Sequence, residues 1–376
     1  PRVRRQRQMC IRDSYSINTQ NTSVFGLGGT HSLTYGFDAS LNKQKATDVY
    51  GRPDRSRPKS KGYDAGLFIQ DEYAINPYLT LTPVLRWSYY NRKPTTDNND
   101  KFGLASRSDS KVTPGITLTL SPSKQLSFYS SVQTGYRPPF LDELYTSIEY
   151  PEFGMYSVVL PNPDLKPEES INVEIGVNGD YKSLFSDSDR FVFHANVFRD
   201  RVKNLINAGA TGDMDFTDDG DMILYYSIDN VGKALKTGFE ASADYYPGNA
   251  DFHLSYGYLH AEDKNTGEKI PGLTPMQATL RAGYTYKPWN VNGWYRMRLF
   301  KGGKSNLETA WNSGEYKQLG GFATHTLGLT WKPQIKDWAD FTLTFSVDNI
   351  TNKKFRYLNG GYGVGRSYRA WLSATF

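Results

Sequence analysis

The sequence predicts an all-β protein, a transmembrane antiparallel β-barrel, and three observations lead to this prediction. Only 38% of the 376 residues are hydrophobic while 14% are aromatic, which is too apolar-poor for a packed globule and too aromatic for a disordered chain. No apolar run approaches the roughly 18 residues that a membrane helix needs. Apolar and polar residues alternate along most of the chain, as in strands with one face toward lipid and one toward water.

The first fourteen residues, PRVRRQRQMCIRDS, differ from the rest of the chain. Back-translated, residues 4–14 resemble a transposase-type sequencing adapter read as protein. We therefore expect residues 1–14 to be an artefact rather than a nucleic-acid- or membrane-binding arm. The segment holds five arginines and one aspartate, a net of +4, so the formal charge of +5 falls to +1 without it. The single cysteine, Cys10, is lost with it, so the remaining chain has no thiol chemistry, cysteine metal site or disulfide.

About fifteen strands are predicted between residue 15 and the C-terminus. In residues 31–42, for example, Leu33, Tyr35 and Phe37 share one face, and Thr34 and Asp38 lie on the other. Many of these segments are longer than an ordinary strand of 5–6 residues and suit a tilted bilayer crossing of about 9–11 residues. The predicted strands are 15–27, 31–43, 63–75, 79–93, 110–121, 125–136, 169–180, 189–203, 223–246, 251–261, 275–287, 291–301, 319–332, 339–352 and 364–376.

The connections between the predicted strands alternate in length. Short turns are predicted at 28–30, 76–78, 122–124, 247–250 and 289–290. Long polar loops are predicted at 44–62, 94–109, 137–168, 204–222, 262–274, 302–318 and 353–363. Short turns on one side and long loops on the other are typical of an outer-membrane barrel, with turns in the periplasm and loops outside the cell.

Charged residues within the strands indicate a polar interior. Arg86, Glu174 and Arg281 each fall on the polar face, where a water-filled lumen accommodates them at little cost. In the last predicted strand, Tyr368, Leu372 and the terminal Phe376 share one face. A final alternating strand that ends on phenylalanine resembles the insertion signal of outer-membrane barrels. A soluble β-sheet core is the alternative interpretation of this patterning.

Two motifs flank the longest predicted loop: GYRPPFLDELYTS at 135–147 and PNPDLKPEES at 161–170. Here the sequence resembles the TonB-dependent outer-membrane receptors and, within them, the heme and hemoglobin receptors, which carry a FRAP-like box, a long extracellular loop and an NPNL-like box. Segments 66–73, 229–241 and 347–369 extend the resemblance over residues 15–376. The residues that stand for the two boxes are Tyr136, Arg137, Pro138 and Pro139, then Asn162, Pro163, Asp164 and Leu165.

The resemblance implies a 22-stranded barrel with a plug inside, of which this chain is the C-terminal part, the plug and the first strands being absent. It implies an active-transport receptor in the bacterial outer membrane, in contact with outer-membrane lipid. Such a receptor binds heme or a host heme protein through its extracellular loops and imports heme with energy from the TonB complex, which acts on the plug. Heme is then the transported ligand and not a cofactor.

Other functions are open at this point. A receptor for a siderophore or another metal chelate has the same architecture, and a passive porin is a further alternative. No catalytic motif is present, so an enzyme is not expected, and with a near-neutral chain no nucleic-acid partner is expected either.

The heme receptors place a histidine between the two boxes, but residues 141–160 contain none. Tyrosinate can also hold heme iron, so three tyrosines are candidates; they are ordinary loop aromatics in the alternative interpretation. Arg137 can bind a heme propionate or a siderophore anion; the preferred alternative is an internal salt bridge with Asp142, Glu143 or Glu168. No resident metal site is predicted. The candidate ligand-binding residues are Arg137, Tyr145, Tyr150, Met155, Tyr156 and His260.

Overall fold

The computed structural model describes residues 9–47, 57–95, 104–152, 155–230, 232–308, 315–333 and 339–375. Within these residues there are two short helices, α1 (Leu141–Tyr145) and a 3₁₀ turn at Lys287–Trp289. The strands are β1 (Met9–Gly26), β2 (Thr30–Thr47), β3 (Ser60–Asn76), β4 (Leu79–Pro94), β5 (Arg107–Ser123), β6 (Leu126–Arg137), β7 (Ile148–Glu152), β8 (Met155–Leu160), β9 (Glu168–Lys182), β10 (Asp189–Lys203), β11 (Ile206–Phe216), β12 (Met222–Asn230), β13 (Lys233–Pro247), β14 (Ala250–Asp263), β15 (Met276–Tyr286), β16 (Val291–Phe300), β17 (Gly303–Glu308), β18 (Tyr316–Leu319), β19 (Phe322–Trp331), β20 (Asp340–Asp348) and β21 (Ser367–Thr375).

Fifteen of these strands form one sheet in the order β1-β2-β3-β4-β5-β6-β9-β10-β13-β14-β15-β16-β19-β20-β21. Each predicted strand has a counterpart in this sheet, so the all-β prediction is confirmed. Long loops and short turns alternate between successive strands of the sheet, as the sequence predicted. None of the helices in the described ranges is long and apolar enough to cross a membrane.

Apolar side chains form the more exposed face of the long strands. In β5, for example, Val112, Ile116 and Leu120 are 50%, 45% and 46% exposed. The threonines between them, Thr113, Thr117 and Thr119, are half-buried. A face of apolar side chains left open in this way is suited to lipid rather than water.

The opposite face carries the polar groups, as predicted, and the structure shows that they are paired. Arg86 forms an ion pair with Asp38 at 2.7 Å. Arg281 pairs with Asp251, and Glu174 accepts a hydrogen bond from the Nδ2 of Asn196 at 2.8 Å. Charges that are paired within the sheet are far less costly than isolated ones.

Glycines allow large side chains to lie flat across neighbouring strands. A Cβ at Gly66 would collide with the guanidinium of Arg86, and a Cβ at Gly328 would collide with the ring of Trp294. Glycine is required at these two positions because the neighbouring side chain occupies the space that a Cβ atom would fill.

The structure corrects the sequence prediction in the loops. The predicted strand 223–246 is two strands, β12 and β13. The predicted loop 204–222 contains β11, and the predicted loop 137–168 contains α1, β7 and β8. The predicted loop 302–318 contains β17 and most of β18, which ends at Leu319. A second, four-stranded sheet has the order β11-β12-β8-β7, and the separate β17–β18 pair forms a third. β7, β8, β17 and β18 have only four to six residues. β11 and β12 have 11 and 9 residues, but β12 pairs with β8 of the distant segment 138–167, and local sequence does not specify such a pairing.

Some predicted features lie outside the described residues, among them Phe376 and parts of loops 44–62, 94–109 and 302–318. Residues 9–14 belong to β1 and pair with β2, Met9 opposite Thr47 and Ser14 opposite Asn42. The foreign origin of residues 1–14 stays a prediction.

The chain divides into two compact units. The first comprises Pro1–Leu118, Ser131–Asn172 and Arg201–Ala234, and the second comprises Thr119–Ser130, Val173–Asp200 and Leu235–Phe376. The first unit contains both predicted boxes and the four-stranded sheet. The second contains strands β14 to β21.

Candidate functional site

The described residues of segments 138–167 and 204–232 fold together into what we call the loop unit, built from α1 and the sheet β11-β12-β8-β7. Its core consists of Leu144, Tyr145 and Leu165, which are 0%, 2% and 3% exposed. Partly buried apolar side chains pack against these three: Leu141, Ile206 and Ile228 from the two segments, and Leu104 from outside the loop unit. The segment between the two boxes is therefore a folded element with a core of its own.

Arg137 lies at the loop end of β6 and holds two acidic residues. Its Nε and Nη2 donate to Oε2 and Oε1 of Glu168, both at 2.7 Å, in a bidentate fork. Its Nη1 donates to both carboxylate oxygens of Glu143, at 3.1 and 3.0 Å. The hydrogen bonds that Arg137 donates to Glu168 raise its pKa above the usual range despite the opposing effect of burial. The guanidinium therefore joins β6, α1 and the start of β9.

This geometry agrees with the preferred interpretation of Arg137 as an internal salt bridge. The partners are Glu143 and Glu168. The third acidic residue considered, Asp142, accepts instead from the Nε2 of Gln44 at 2.6 Å. Because its donors are engaged by two carboxylates, Arg137 presents no open fork to a propionate or a siderophore anion.

Tyr145 is an anchor inside the loop unit. Its hydroxyl lies 2.9 Å from the carbonyl oxygen of Arg92 and 3.0 Å from that of Ala105. Burial raises the pKa of Tyr145 above its ordinary value, so the phenol is held as a neutral donor to a carbonyl. In this conformation Tyr145 offers no tyrosinate oxygen to an extracellular ligand.

The second box connects the two halves of the loop unit. The Nδ2 of Asn162 donates to the carbonyl of Ile228 at 2.9 Å and to Oδ1 of Asp229 at 2.6 Å. The Oδ1 of Asn162 accepts from the backbone N–H of Asp164 at 3.0 Å. Leu165 enters the core. The box therefore fastens residues 161–165 to β12.

Other box residues also hold the loop unit on the sheet. The Nε of Arg92 donates to the carbonyl of Pro139 at 3.1 Å, and Arg107 donates to the carbonyl of Pro163 and pairs with Asp164. The hydroxyl of Tyr136 donates to Oδ2 of Asp109 at 3.2 Å.

Sequence analysis missed several residues of this network. Asn230 accepts from the N–H of Lys166 at 2.8 Å and donates to the carbonyls of Lys166 and Asn204 at 2.9 and 2.8 Å. Asn230 lies in segment 229–241, one of those that carried the resemblance. No motif in the sequence pointed to Arg92, because its partners Asp64 and Pro139 are 28 and 47 residues away along the chain.

The remaining loop candidates lie on β7 and β8. In β8, Met155 lies opposite Met222 of β12, and Tyr156 lies opposite Ile223. Neighbouring residues of a strand point to opposite faces, so Met155 and Tyr156, both half-buried, do not address the same ligand atom. Tyr150 lies in β7 opposite Ser157, and its side chain is outside the described residues.

The loop unit is strongly acidic. Residues 138–167 and 204–232 contain eleven Asp or Glu and one lysine, a formal net charge of −10. Five aspartates lie at the tip of the β11–β12 hairpin, between residues 213 and 221, and none of the five forms an ion pair within the described ranges. Met214 and Phe216 are 61% and 59% exposed at the same tip.

His260 belongs to the second compact unit, at the loop end of β14. Its Nε2 is 3.3 Å from Oε2 of Glu262. It shares a strand face with Tyr256 and Tyr258, which belong to the exposed apolar face and not to the polar one. Across the described parts of the chain, no three His, Cys, Asp or Glu side chains are grouped as a metal site requires.

Comparison with known proteins identifies the family. The family model for the TonB dependent receptor-like β-barrel matches residues 3–350. A heme/hemopexin utilization protein C of Haemophilus influenzae is 21% identical over 92% of this chain, and a hemin receptor of Yersinia enterocolitica is 24% identical over 66%. The chain spans 48% and 36% of the lengths of these two relatives.

Solved structures agree on the fold. The Serratia marcescens hemophore receptor HasR, in complex with its hemophore and heme, matches with a TM-score of 0.70 and 20% identity, over 97% of this chain and 59% of that one. The ferric enterobactin receptor PfeA of Pseudomonas aeruginosa matches with a TM-score of 0.72 and 18% identity, over 97% and 55%. The chain therefore belongs to the TonB-dependent receptors of the bacterial outer membrane, a family of transport receptors and not of enzymes, and it carries part of their β-barrel.

Proposed function

We propose that this protein binds heme, delivered by a heme-carrying protein, through the loop unit and imports it with energy supplied by the TonB complex. One observation carries the proposal: the two boxes that flank the loop in heme receptors here enclose and fasten a folded loop unit. The relatives of this chain include proteins named for heme and hemopexin, for hemoglobin, and for hemin.

The charge of the loop unit supports delivery by a protein rather than capture of free heme. Heme carries two propionates, and a loop unit of net charge −10 repels a small anion on approach. A basic patch on a carrier protein is attracted by the same field, which raises the rate of encounter. The exposed Met214 and Phe216 at the acidic tip supply the apolar contact that a protein interface needs.

The iron contact that we propose is Tyr156, with Met155 as the second candidate. No histidine occurs in either segment of the loop unit, and tyrosinate is an established ligand of heme iron. The hydroxyl of Tyr145 is engaged with backbone carbonyls inside the core. Tyr156 is half-buried on β8 and its hydroxyl forms no hydrogen bond within the described ranges.

Spectroscopic titration of the complete receptor in detergent tests the proposal. We expect a heme-loaded carrier such as hemoglobin to transfer heme with a perturbed Soret band, and transfer to weaken as salt rises. Tyr156→Phe should change the Soret and charge-transfer bands, whereas Tyr78→Phe, at an exposed turn outside the loop unit, should not. Absence of any Soret change with hemin and with hemoglobin would refute heme binding.

The main alternative is a siderophore receptor of the same fold. Tight binding of a ferric siderophore without heme binding would favour that alternative. Growth on hemoglobin as the iron source separates active uptake from a passive porin, because only active uptake is lost when TonB is deleted.

A further inference from the structure

The loop-side margin of strands β14 to β16 combines an apolar wall with a cationic edge. On β14, Tyr256 and Tyr258 are 37% and 43% exposed. Tyr258 lies opposite Met276 of β15, and Tyr256 lies opposite Ala278, which in turn faces Leu299 of β16. Residues directly opposite each other share a face, so these side chains form one apolar surface, on which the two tyrosines are exposed and Met276, Ala278 and Leu299 are half-buried.

Cationic residues continue the same face beyond the apolar rows. Lys301 is two residues beyond Leu299, and its backbone N–H donates to the carbonyl of Met276 at 2.9 Å, which places it in the row of Tyr258. His260 is two residues beyond Tyr258. Lys269 lies opposite Glu262, the next residue of β14 on this face.

Lys269 and Lys301 are exposed and form no ion pair within the described ranges. The neighbouring charges are already paired, Glu262 with Lys264 and with His260 and Glu268 with Lys304 at 3.5 Å. Tyr258, His260, Lys269 and Lys301 all line one cleft of about 410 Å³. Two lysines without an ion pair in the described ranges therefore line a cleft beside an apolar surface.

We propose that this cleft binds a phosphate-bearing lipid of the outer leaflet. The acyl chains would lie against the tyrosines and Leu299, and the phosphate would sit between Lys269 and Lys301, with His260 as a further donor. The chain belongs to an outer-membrane family, so lipid is what covers its exposed apolar face, and long loops mark this margin as the outer one. Two cationic groups next to that lipid select an anionic headgroup.

The test compares lipid A, which carries phosphates, with lipid A from which they have been removed, on the complete receptor in neutral detergent by native mass spectrometry. We expect selective binding of the phosphorylated form. Lys269→Glu combined with Lys301→Glu should weaken it at least tenfold. Lys287→Glu, at the opposite end of the β15–β16 pair, should not change it. If the Lys269→Glu, Lys301→Glu double variant lacks the heat-dependent gel mobility of a folded barrel, the Lys269→Gln, Lys301→Gln double variant replaces it in the test.

Three outcomes would overturn the proposal. The first is equal binding of the phosphorylated and dephosphorylated lipids. The second is an unchanged affinity in the double variant relative to Lys287→Glu. The third is displacement of the lipid by inorganic phosphate alone at millimolar concentration, which would identify a site for a free anion.

Discussion

Replacing Arg137 by methionine should open the loop unit while leaving the large sheet intact. The change removes the bidentate bond to Glu168 and both contacts to Glu143. Glu168 and Glu143 are only 15% and 21% exposed, so each loses its guanidinium in a partly desolvated place. Methionine keeps much of the apolar stem and isolates the effect of charge.

The size of the expected loss in stability follows from how deeply Arg137, Glu143 and Glu168 are buried. Breaking a fully buried pair costs about 3–5 kcal/mol, whereas an exposed pair contributes about 0–1 kcal/mol. Arg137 is 33% exposed, and Glu168 keeps the hydrogen bond from the N–H of Ile206 at 2.8 Å. We therefore expect a loss of about 2–3 kcal/mol in local stability, which raises the open population about 30- to 150-fold.

Hydrogen–deuterium exchange of peptides from residues 138–167 measures this opening in the complete receptor. Lys111→Met is the matched control, because Lys111 pairs with Glu169 at 2.9 Å but both side chains are exposed, at 43% and 39%. Its effect should stay below about 1 kcal/mol. Equal exchange in the two variants, or unchanged exchange in Arg137→Met, would refute the clamp role of Arg137.

Three further predictions concern the loop unit and the sheet. Tyr145→Phe removes the buried donor to the carbonyls of Arg92 and Ala105 and should cost about 1–3 kcal/mol. Because burial raises the pKa of Tyr145 in the folded protein, the stability that its hydroxyl contributes is complete below about pH 10 and falls as pH rises above it. The protection factors of the wild-type loop amides, which correct for base-catalysed intrinsic exchange, should therefore fall above that pH, and unchanged protection factors would contradict the assignment. Asn162→Ala removes the hydrogen bonds to Ile228 and Asp229 of β12 and should lower local stability by about 1–2 kcal/mol. Amide exchange should become faster in β12 but not in β13, and equal acceleration in both strands would contradict the role of Asn162 in fastening β12. Gly328→Ala pushes a methyl group into the ring of Trp294 and should cost about 1–3 kcal/mol, lowering the temperature at which the folded gel band is lost; Gly293→Ala, which meets open space, is the control and should leave that temperature unchanged.

The sequence by itself determined the large sheet. Strict alternation over long segments specifies a strand and its two faces, because a shift of one residue would move every apolar side chain to the wrong face. The alternation of short turns and long loops then gave the order of the strands. For the same reason Arg86 and Arg281 were placed correctly on the polar face.

The loop unit was only partly accessible from the sequence. The two boxes were recognised as motifs, but β7 and β8 have only five and six residues, and β12 pairs with β8 over a separation of more than sixty residues. The sequence offered three acidic partners for Arg137, and the structure shows that two of them, Glu143 and Glu168, form the salt bridges.

Only the tertiary structure decided which candidate residues are available to a ligand. Tyr145 and Tyr156 look alike in the sequence, yet one is 2% exposed and bonded to carbonyls, and the other is half-buried on β8. Local pattern fixes the direction of a side chain along a strand, because that depends on neighbours in the chain. Burial and hydrogen-bond partners depend on residues that are distant in sequence, and these are brought together only by folding.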